Sequence, residues 1–240
     1  MYSFFRKISF LYILQVNIKK NLRRNINISE KIKIIAELTH ILINEIIFEI
    51  RSKFKFMDTS EIKINGNEKY KNNRRPALIN QINDTNSFLS KYFESLNNYS
   101  AIDIGCGSGK ILYGIEILNY KKIYGIEINE HYFETCKKNF INKKNIEIIN
   151  KDFFDYNISN IEFFYLHHPF DSDDMYEKTF DIFQKLNSHI IIIFFDKNHL
   201  QQKLMSSKNY ECIYQKDYLQ KFNQTFIYKK LYNLKKRKFT

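Results

Sequence analysis

The segment AIDIGCGSGK, residues 101–110, holds three of the six glycines of the chain, and they stand at alternate positions. Glycine lacks a Cβ and tolerates positive φ angles, so a glycine at every second position keeps one side of a turn free of side chains. A ligand can then lie directly against the backbone. The spacing of the glycines, and the residues around them, decide which class of nucleotide-like ligand fits.

Two common phosphate-binding loops do not match this segment. The triphosphate loop G-x-x-x-x-G-K-[ST] matches Gly109 and Lys110. Its first glycine falls on Ile104, however, and its hydroxyl residue falls on Ile111. The dinucleotide fingerprint G-x-G-x-x-G, started at Gly105, requires a glycine where Lys110 stands. Both a triphosphate and a dinucleotide are therefore disfavoured.

The remaining pattern is an acidic residue followed by alternate glycines, in the order Asp103, Gly105, Gly107 and Gly109. It resembles the first motif of the class I S-adenosylmethionine-dependent methyltransferases, which lies at the turn from the first strand to the first helix. The resemblance implies S-adenosylmethionine as the cofactor, lying against the glycines and Cys106. A helix N-terminus favours the carboxylate of this ligand, and we expect Asp103 to order the loop and to face the ligand's positive end.

Two further acidic residues stand where the same family has them. Glu127 ends the second predicted strand, and a carboxylate there accepts hydrogen bonds from both ribose hydroxyls. Ile128 is then expected against the adenine. Asp152, in IINKDFFDY, matches a position near the adenine amino group, with Phe153 packed on the ring. The simpler alternatives are an exposed glutamate at a strand end and, for Asp152, a cap on a turn.

The fourth predicted strand ends in His167, His168, Pro169 and Phe170. Methyltransferases that act on planar amino groups carry N-P-P-Y/F or D-P-P-Y/F there, and the ending also resembles a poorly characterised group with N-P-F. The resemblance implies catalytic roles for His168, Pro169 and Phe170, with histidine replacing the amide as hydrogen-bond acceptor or general base. The alternative is that His167 points into the core and His168 holds a loop. The acidic residues 171–174 favour helix capping over a metal, so no metal site is predicted.

After residue 100, short apolar runs alternate with amphipathic segments, which predicts a parallel, doubly wound sheet. The expected strands are 100–104, 122–128, 145–150, 161–167 and 189–195, and the expected helices are 108–118, 129–140, 174–187 and 198–206. Segments 210–215 and 223–229 are expected to close the sheet edge as an antiparallel pair. The predicted fold is α/β, a mostly parallel, seven-stranded Rossmann-like methyltransferase sheet with an N-terminal helical extension.

The chain divides into four predicted regions: an N-terminal helical extension over 1–56, a linker or lid over 57–85, the cofactor-binding domain over 86–230 and a basic tail over 231–240. A helix is expected over 86–98, capped by Thr85 or Asn86. The apolar run 8–16 is too short to span a bilayer, and 32–50 is interrupted by charged residues. We expect 32–50 to form an amphipathic helix and no segment to cross a membrane, which leaves peripheral contact through these helices open.

The net charge of +12 is concentrated at the two ends of the chain. Residues 1–100 carry 17 Lys and Arg against 9 Asp and Glu, residues 101–200 carry 11 against 15, and residues 201–240 carry 10 against 2. Basic ends favour an acidic partner such as RNA. Three scattered cysteines fit neither a disulfide framework nor a zinc site and favour a reduced, cytoplasmic location.

The sequence leaves two classes of function open. The first is a methyltransferase that acts on a nitrogen or oxygen nucleophile, with RNA or a protein amine as the acceptor. The second is a degenerate methyltransferase fold without catalysis, which serves as a nucleic-acid-binding module or a scaffold. The intact glycine pattern favours the enzyme, because a fold that had lost the ligand would not need three glycines there.

Overall fold

The computed structural model describes residues 27–52, 77–186, 189–195, 198–218 and 223–231. The apolar run 8–16, most of the predicted lid and nearly all of the basic tail lie outside the described residues. No helix of the described part is long and apolar enough to cross a membrane.

Seven strands form one sheet in the order β3-β2-β1-β4-β5-β7-β6. Their bounds are β1 Ser100–Ile104, β2 Lys122–Ile126, β3 Ile146–Ile149, β4 Phe163–Leu166, β5 Ile191–Phe195, β6 Tyr210–Tyr218 and β7 Asn223–Lys230. The first five strands are parallel, and β7 runs antiparallel to both β5 and β6. The predicted mostly parallel sheet, with an antiparallel pair at its edge, is confirmed.

Six α-helices accompany the sheet within the described residues: α1 Ile28–Ser52, α2 Ile79–Tyr92, α3 Lys110–Ile115, α4 Glu130–Asn139, α5 Asp173–Lys185 and α6 His199–Ser206. Buried residues of α1 to α4 pack in an apolar layer on one face of the sheet, and those of α5 and α6 pack in a layer on the other. Strand β5, which is apolar at every position, is buried throughout because both faces are covered. The N-terminal helical extension is present as α1.

Helix α2 corrects one prediction of the sequence analysis. The helix begins at Ile79 and ends at Tyr92, whereas we expected 86–98 with a cap at Thr85 or Asn86. Thr85 lies within the helix and is fully buried. Gln81 is also buried; its side chain accepts a hydrogen bond from the N–H of Leu78 and donates to the carbonyl of Gln224. Because these polar residues occupy core-facing positions, the helical repeat of apolar residues is interrupted in the sequence. The predicted start at residue 86 therefore falls in the middle of the observed helix.

Candidate functional site

The glycine loop is residues 105–109, between β1 and α3. All three of its glycines have positive φ angles: 71° at Gly105, 55° at Gly107 and 95° at Gly109. A Cβ at Gly109 would lie 2.4 Å from Cε2 of Phe140, so this glycine is required by close packing against α4. A Cβ at Gly107 would meet no atom of the described residues within 4 Å. Open space therefore lies over Gly107, where the sequence predicts a ligand.

Hydrogen bonds from two neighbouring elements hold the glycine loop. The N–H groups of Gly105 and Cys106 donate to the carbonyl of Ile126 at the end of β2, at 2.9 and 3.1 Å. The N–H of Gly107 donates to Oε2 of Glu127, and the Asn139 amide donates to the carbonyl of Ser108 at 3.0 Å. Sequence reasoning missed Asn139, because nothing distinguishes it from other polar residues at a helix end.

Two carboxylates are buried beside this loop. Asp103 is 1% exposed and Glu127 is 4% exposed. Glu127 accepts two backbone hydrogen bonds, from Gly107 and Asn129, both at 2.9 Å. Asp103, by contrast, has no hydrogen-bond partner for either carboxylate oxygen among the described residues. Glu127 therefore orders the loop, and the expectation that Asp103 does so is wrong.

The buried surroundings of Asp103 disfavour its ionised carboxylate. Burial, and secondarily the charge of Glu127, raise the pKa of Asp103 well above its usual range. An isolated buried carboxylate is destabilising unless a cation or hydrogen-bond donors compensate it. A cationic ligand group in the open space over the loop would supply that compensation.

The ends of β2 and β3 carry the other predicted cofactor residues. Ile128 is 51% exposed, and the Asn150 amide donates to the carbonyls of Glu127 and Ile128 at 2.9 and 3.3 Å. Sequence reasoning missed Asn150, although it is the last residue of the third predicted strand. Asp152 accepts a hydrogen bond from the N–H of Phe154 at 3.0 Å, so it does cap a turn. A contact of Ile128 or Asp152 with the adenine stays a prediction.

The turn after β4 packs directly against the glycine loop. A Cβ at Gly105 would lie 3.2 Å from both Cα and Cβ of Pro169, so Gly105 leaves the space that Pro169 occupies. The preceding residue, His168, has a φ of 48°, a left-handed conformation that Asn, Asp and His adopt more readily than other side chains. The rings of His167 and His168 are 5.1 Å apart, edge to face. The parallel pairing of β1 and β4 thus brings their carboxyl ends together.

Phe170 belongs to an aromatic cluster that sequence reasoning found only in part. Its ring stacks on Phe154 with centroids 5.4 Å apart and planes at 26°, and it meets the edge of Tyr176 at 5.3 Å. Phe153 is 5% exposed and lies 6.0 Å from Phe170, mostly within the core. The hydroxyl of Tyr176 donates to the Phe170 carbonyl, and burial raises the pKa of Tyr176 to about 12. The half-buried Phe154 was missed as the partner of Phe170.

The N-terminal extension reaches the glycine loop through a buried ion pair. Nζ of Lys110, the first residue of α3, lies 2.6 Å from Oε2 of Glu45 on α1, and the two side chains are 15% and 5% exposed. Oε1 of Glu45 accepts a hydrogen bond from the N–H of Ile79 at 2.7 Å. Lys110 also lies over the ring of Phe48. Lys110 occupies the position of the phosphate-binding lysine of a triphosphate loop. Here it forms an ion pair that connects the start of α3 to α1.

No family model and no curated protein matches this chain. Among solved structures, a protein from Haemophilus influenzae provisionally described as a methylase matches with a TM-score of 0.51 and 17% identity, over 63% of this chain and 99% of its own. One from Pyrococcus horikoshii, provisionally described as an RNA methyltransferase, has a TM-score of 0.50 and 18% identity, over 72% of this chain and 94% of its own.

A third solved structure is that of an RNA methyltransferase from Salinibacter ruber in complex with S-adenosyl-L-homocysteine, with a TM-score of 0.48 and 15% identity over 62% and 91% of the two chains. The H. influenzae and P. horikoshii structures, together with the strand order, establish the fold as the Rossmann-like fold of class I methyltransferases.

Proposed function

We propose that the protein is an S-adenosylmethionine-dependent methyltransferase that acts on a nitrogen or oxygen nucleophile, with RNA as the favoured acceptor class. The observation that carries this proposal is the contact between Gly105 and Pro169. It joins the loop that resembles the family's cofactor motif to the turn that resembles its catalytic motif. A cofactor on the first and an acceptor on the second would therefore be neighbours.

The described residues fit this cofactor. Asp103 offers an uncompensated buried carboxylate to a cationic ligand, and Gly107 offers bare backbone beside open space. Glu127 already accepts two backbone hydrogen bonds, but a carboxylate has about four acceptor sites and can accept from ribose hydroxyls as well. We assign the adenine contacts to Ile128, Asp152 and Phe153. When bound, S-adenosylmethionine supplies an electrophilic methyl group.

His168, Pro169 and Phe170 are proposed to hold the acceptor. Methyl transfer is a direct displacement, so orientation of the nucleophile supplies most of the rate enhancement. Pro169 fixes the turn against Gly105, and the ring of Phe170 is held by Phe154 and Tyr176. The imidazole of His168 accepts a hydrogen bond or a proton from the nucleophile.

RNA is favoured over a protein amine by charge and by similarity of fold. The net charge of +12 suits a polyanion, because phosphate contacts supply much of the affinity of nucleic-acid-binding proteins. The P. horikoshii protein is provisionally described as an RNA methyltransferase. A protein amine remains the alternative acceptor.

The cofactor is tested by calorimetric titration of the full chain with S-adenosylhomocysteine. We expect micromolar binding by the wild type and none by Asp103→Ala, with circular dichroism showing that the variant is folded. Asp84→Ala is the matched control, because Asp84 is a carboxylate on α2 that bonds Lys216 and Tyr218 away from the loop. No binding by a folded wild type would overturn the enzyme assignment.

The acceptor is tested by incubating the protein with methyl-labelled S-adenosylmethionine and a cell extract. We expect label that is removed by ribonuclease and resists protease, and that is absent with Asp103→Ala. Label that protease removes would indicate that the acceptor is a protein amine and not RNA. A wild type that binds RNA with steep salt dependence but binds no cofactor would instead support the non-catalytic module.

A further inference from the structure

Helix α1 has two apolar faces, and other described residues pack against only one of them. Ile34, Leu38, Ile41 and Phe48 are buried on the side that packs toward α2 and α3. On the other side, six isoleucines are exposed: Ile28 (77%), Ile32 (61%), Ile35 (52%), Ile43 (49%), Ile47 (39%) and Ile50 (71%). We call these six the isoleucine stripe. A surface helix normally carries polar residues where this stripe lies.

Four of the six residues of the stripe are symmetric about one point of α1. Thr39, which is exposed, lies midway between Ile28 and Ile50. Ile35 and Ile43 stand 4 residues on either side of it, and Ile28 and Ile50 stand 11 residues on either side. Ile32 is mirrored 7 residues away by the half-buried Ile46, and Ile47 is mirrored by Lys31. Separations of 4, 7 and 11 residues all return to the same face of an α-helix.

This symmetry matters because of how two identical helices pair. In an isologous contact with a two-fold axis, residue i of one copy meets residue j of the other, and j meets i. Two antiparallel copies of α1 crossing at Thr39 satisfy this rule. Ile35 of one copy then meets Ile43 of the second, and Ile28 meets Ile50. Self-pairing in this arrangement places isoleucine against isoleucine at both of these pairs of positions.

We propose that the isoleucine stripe is a homodimer interface, in which two copies of α1 pack antiparallel about a two-fold axis at Thr39. The stripe exposes roughly 600 Å² of apolar surface, at the upper end of the largest patches on monomeric proteins. That area approaches the roughly 800 Å² per partner of a standard interface. Since Glu45 on the opposite face of α1 bonds Lys110, the dimer carries both glycine loops close behind its interface.

The interface is tested on the full chain by light scattering after size-exclusion chromatography. We expect the wild type to have twice the mass of the 29.1 kDa chain at micromolar concentration. Ile35→Lys and Ile43→Glu should each weaken dimerisation on the order of 100-fold, because each buries an unpaired charge in the interface. Ile141→Lys is the control, since Ile141 is 76% exposed on a loop distant in sequence from α1.

The double variant I35K/I43E tests the antiparallel register directly. Positions 35 and 43 meet across the two-fold axis, so each Lys would face a Glu of the second copy, and we expect the dimer to return. A monomeric wild type would overturn the proposal and assign the stripe to another segment of the chain or to a membrane surface. A dimer unaffected by either single variant, or a double variant that stays monomeric while circular dichroism shows it folded, would also overturn it.

Discussion

At the carboxyl end of β1, three residues of the turn have positive φ and all three are glycine, whereas at the carboxyl end of β4 the residue with positive φ is His168. Named for their proposed roles, the first region, residues 103–109 with Glu127, is the cofactor half, and the second, residues 167–170 with Phe154 and Tyr176, is the acceptor half. The cofactor half is built from backbone conformation, backbone hydrogen bonds and buried carboxylates. The acceptor half is built from rings that contact one another.

The difference explains why the two halves resemble a known family to different degrees. A ligand held against bare backbone restricts the positions that it contacts to glycine or to a small set of alternatives. An acceptor held by side chains tolerates replacement of those side chains when the acceptor changes. The cofactor half therefore carries the family pattern intact, while the acceptor half has histidine where the family has an amide or a carboxylate.

The largest expected effect is a loss of stability on substituting Gly109, which contrasts with the effect of substituting Gly107. Gly109→Ala places a Cβ 2.4 Å from Phe140 at positive φ, so we expect the free energy of unfolding to fall by about 3 kcal/mol. Gly107→Ala meets open space and should cost about 1 kcal/mol, yet weaken S-adenosylhomocysteine on the order of 10-fold or more. Urea unfolding and calorimetry measure the two effects. Equal losses of stability would contradict this division of roles.

The second effect tests whether the cofactor half depends on α1. Lys110→Met leaves Glu45 buried without its cation, so we expect a loss of about 3 kcal/mol in the free energy of unfolding. S-adenosylhomocysteine should also bind more weakly, because α3 begins at Lys110. The double variant E45Q/K110M removes both charges and should recover most of the stability. Failure to recover would mean that the lysine acts through its packing on Phe48 rather than its charge.

The third effect belongs to the acceptor half. His168→Gly relieves a φ of 48° and should raise the free energy of unfolding by about 1 kcal/mol. It should leave S-adenosylhomocysteine affinity unchanged and lower the rate of methyl transfer roughly 100-fold, because the acceptor of the nucleophile's proton is lost. His168→Asn, which restores the family's amide, should retain more activity than His168→Gly. A rate unchanged in His168→Gly would leave His168 with only a structural role.

The last expected effect is a pH dependence of stability. The raised pKa of Asp103 means that the folded state keeps its proton at a pH where the unfolded state has already released it. Wild-type stability from this group is therefore present below the ordinary aspartate pKa and is lost as pH rises through the folded pKa. The melting temperature of Asp103→Ala relative to that of the wild type should therefore rise from pH 4 to pH 9, because only the wild type loses this stability. A difference independent of pH would show that Asp103 is compensated in the folded protein.

The sequence predicted the sheet better than the helices. Every strand was placed to within a few residues, because buried parallel strands such as β5 are continuous apolar runs between turns. The start of α2 was misplaced because Gln81 and Thr85 are polar residues that face the core. The stripe on α1 was seen as amphipathic, but periodicity alone cannot say that both of its sides are apolar faces with different partners.

By itself, the sequence determined the class of fold, the glycine loop and the order of acidic residues after it, since these depend on local backbone requirements that only a few residue types satisfy. Only the tertiary structure decided which carboxylate orders the loop, that Lys110 belongs to Glu45, and that Phe170 stacks on Phe154. Those pairings join residues far apart in the chain. The packing of the helices on the sheet determines which residues pair. The spacing of residues along one strand or helix does not predict such pairs.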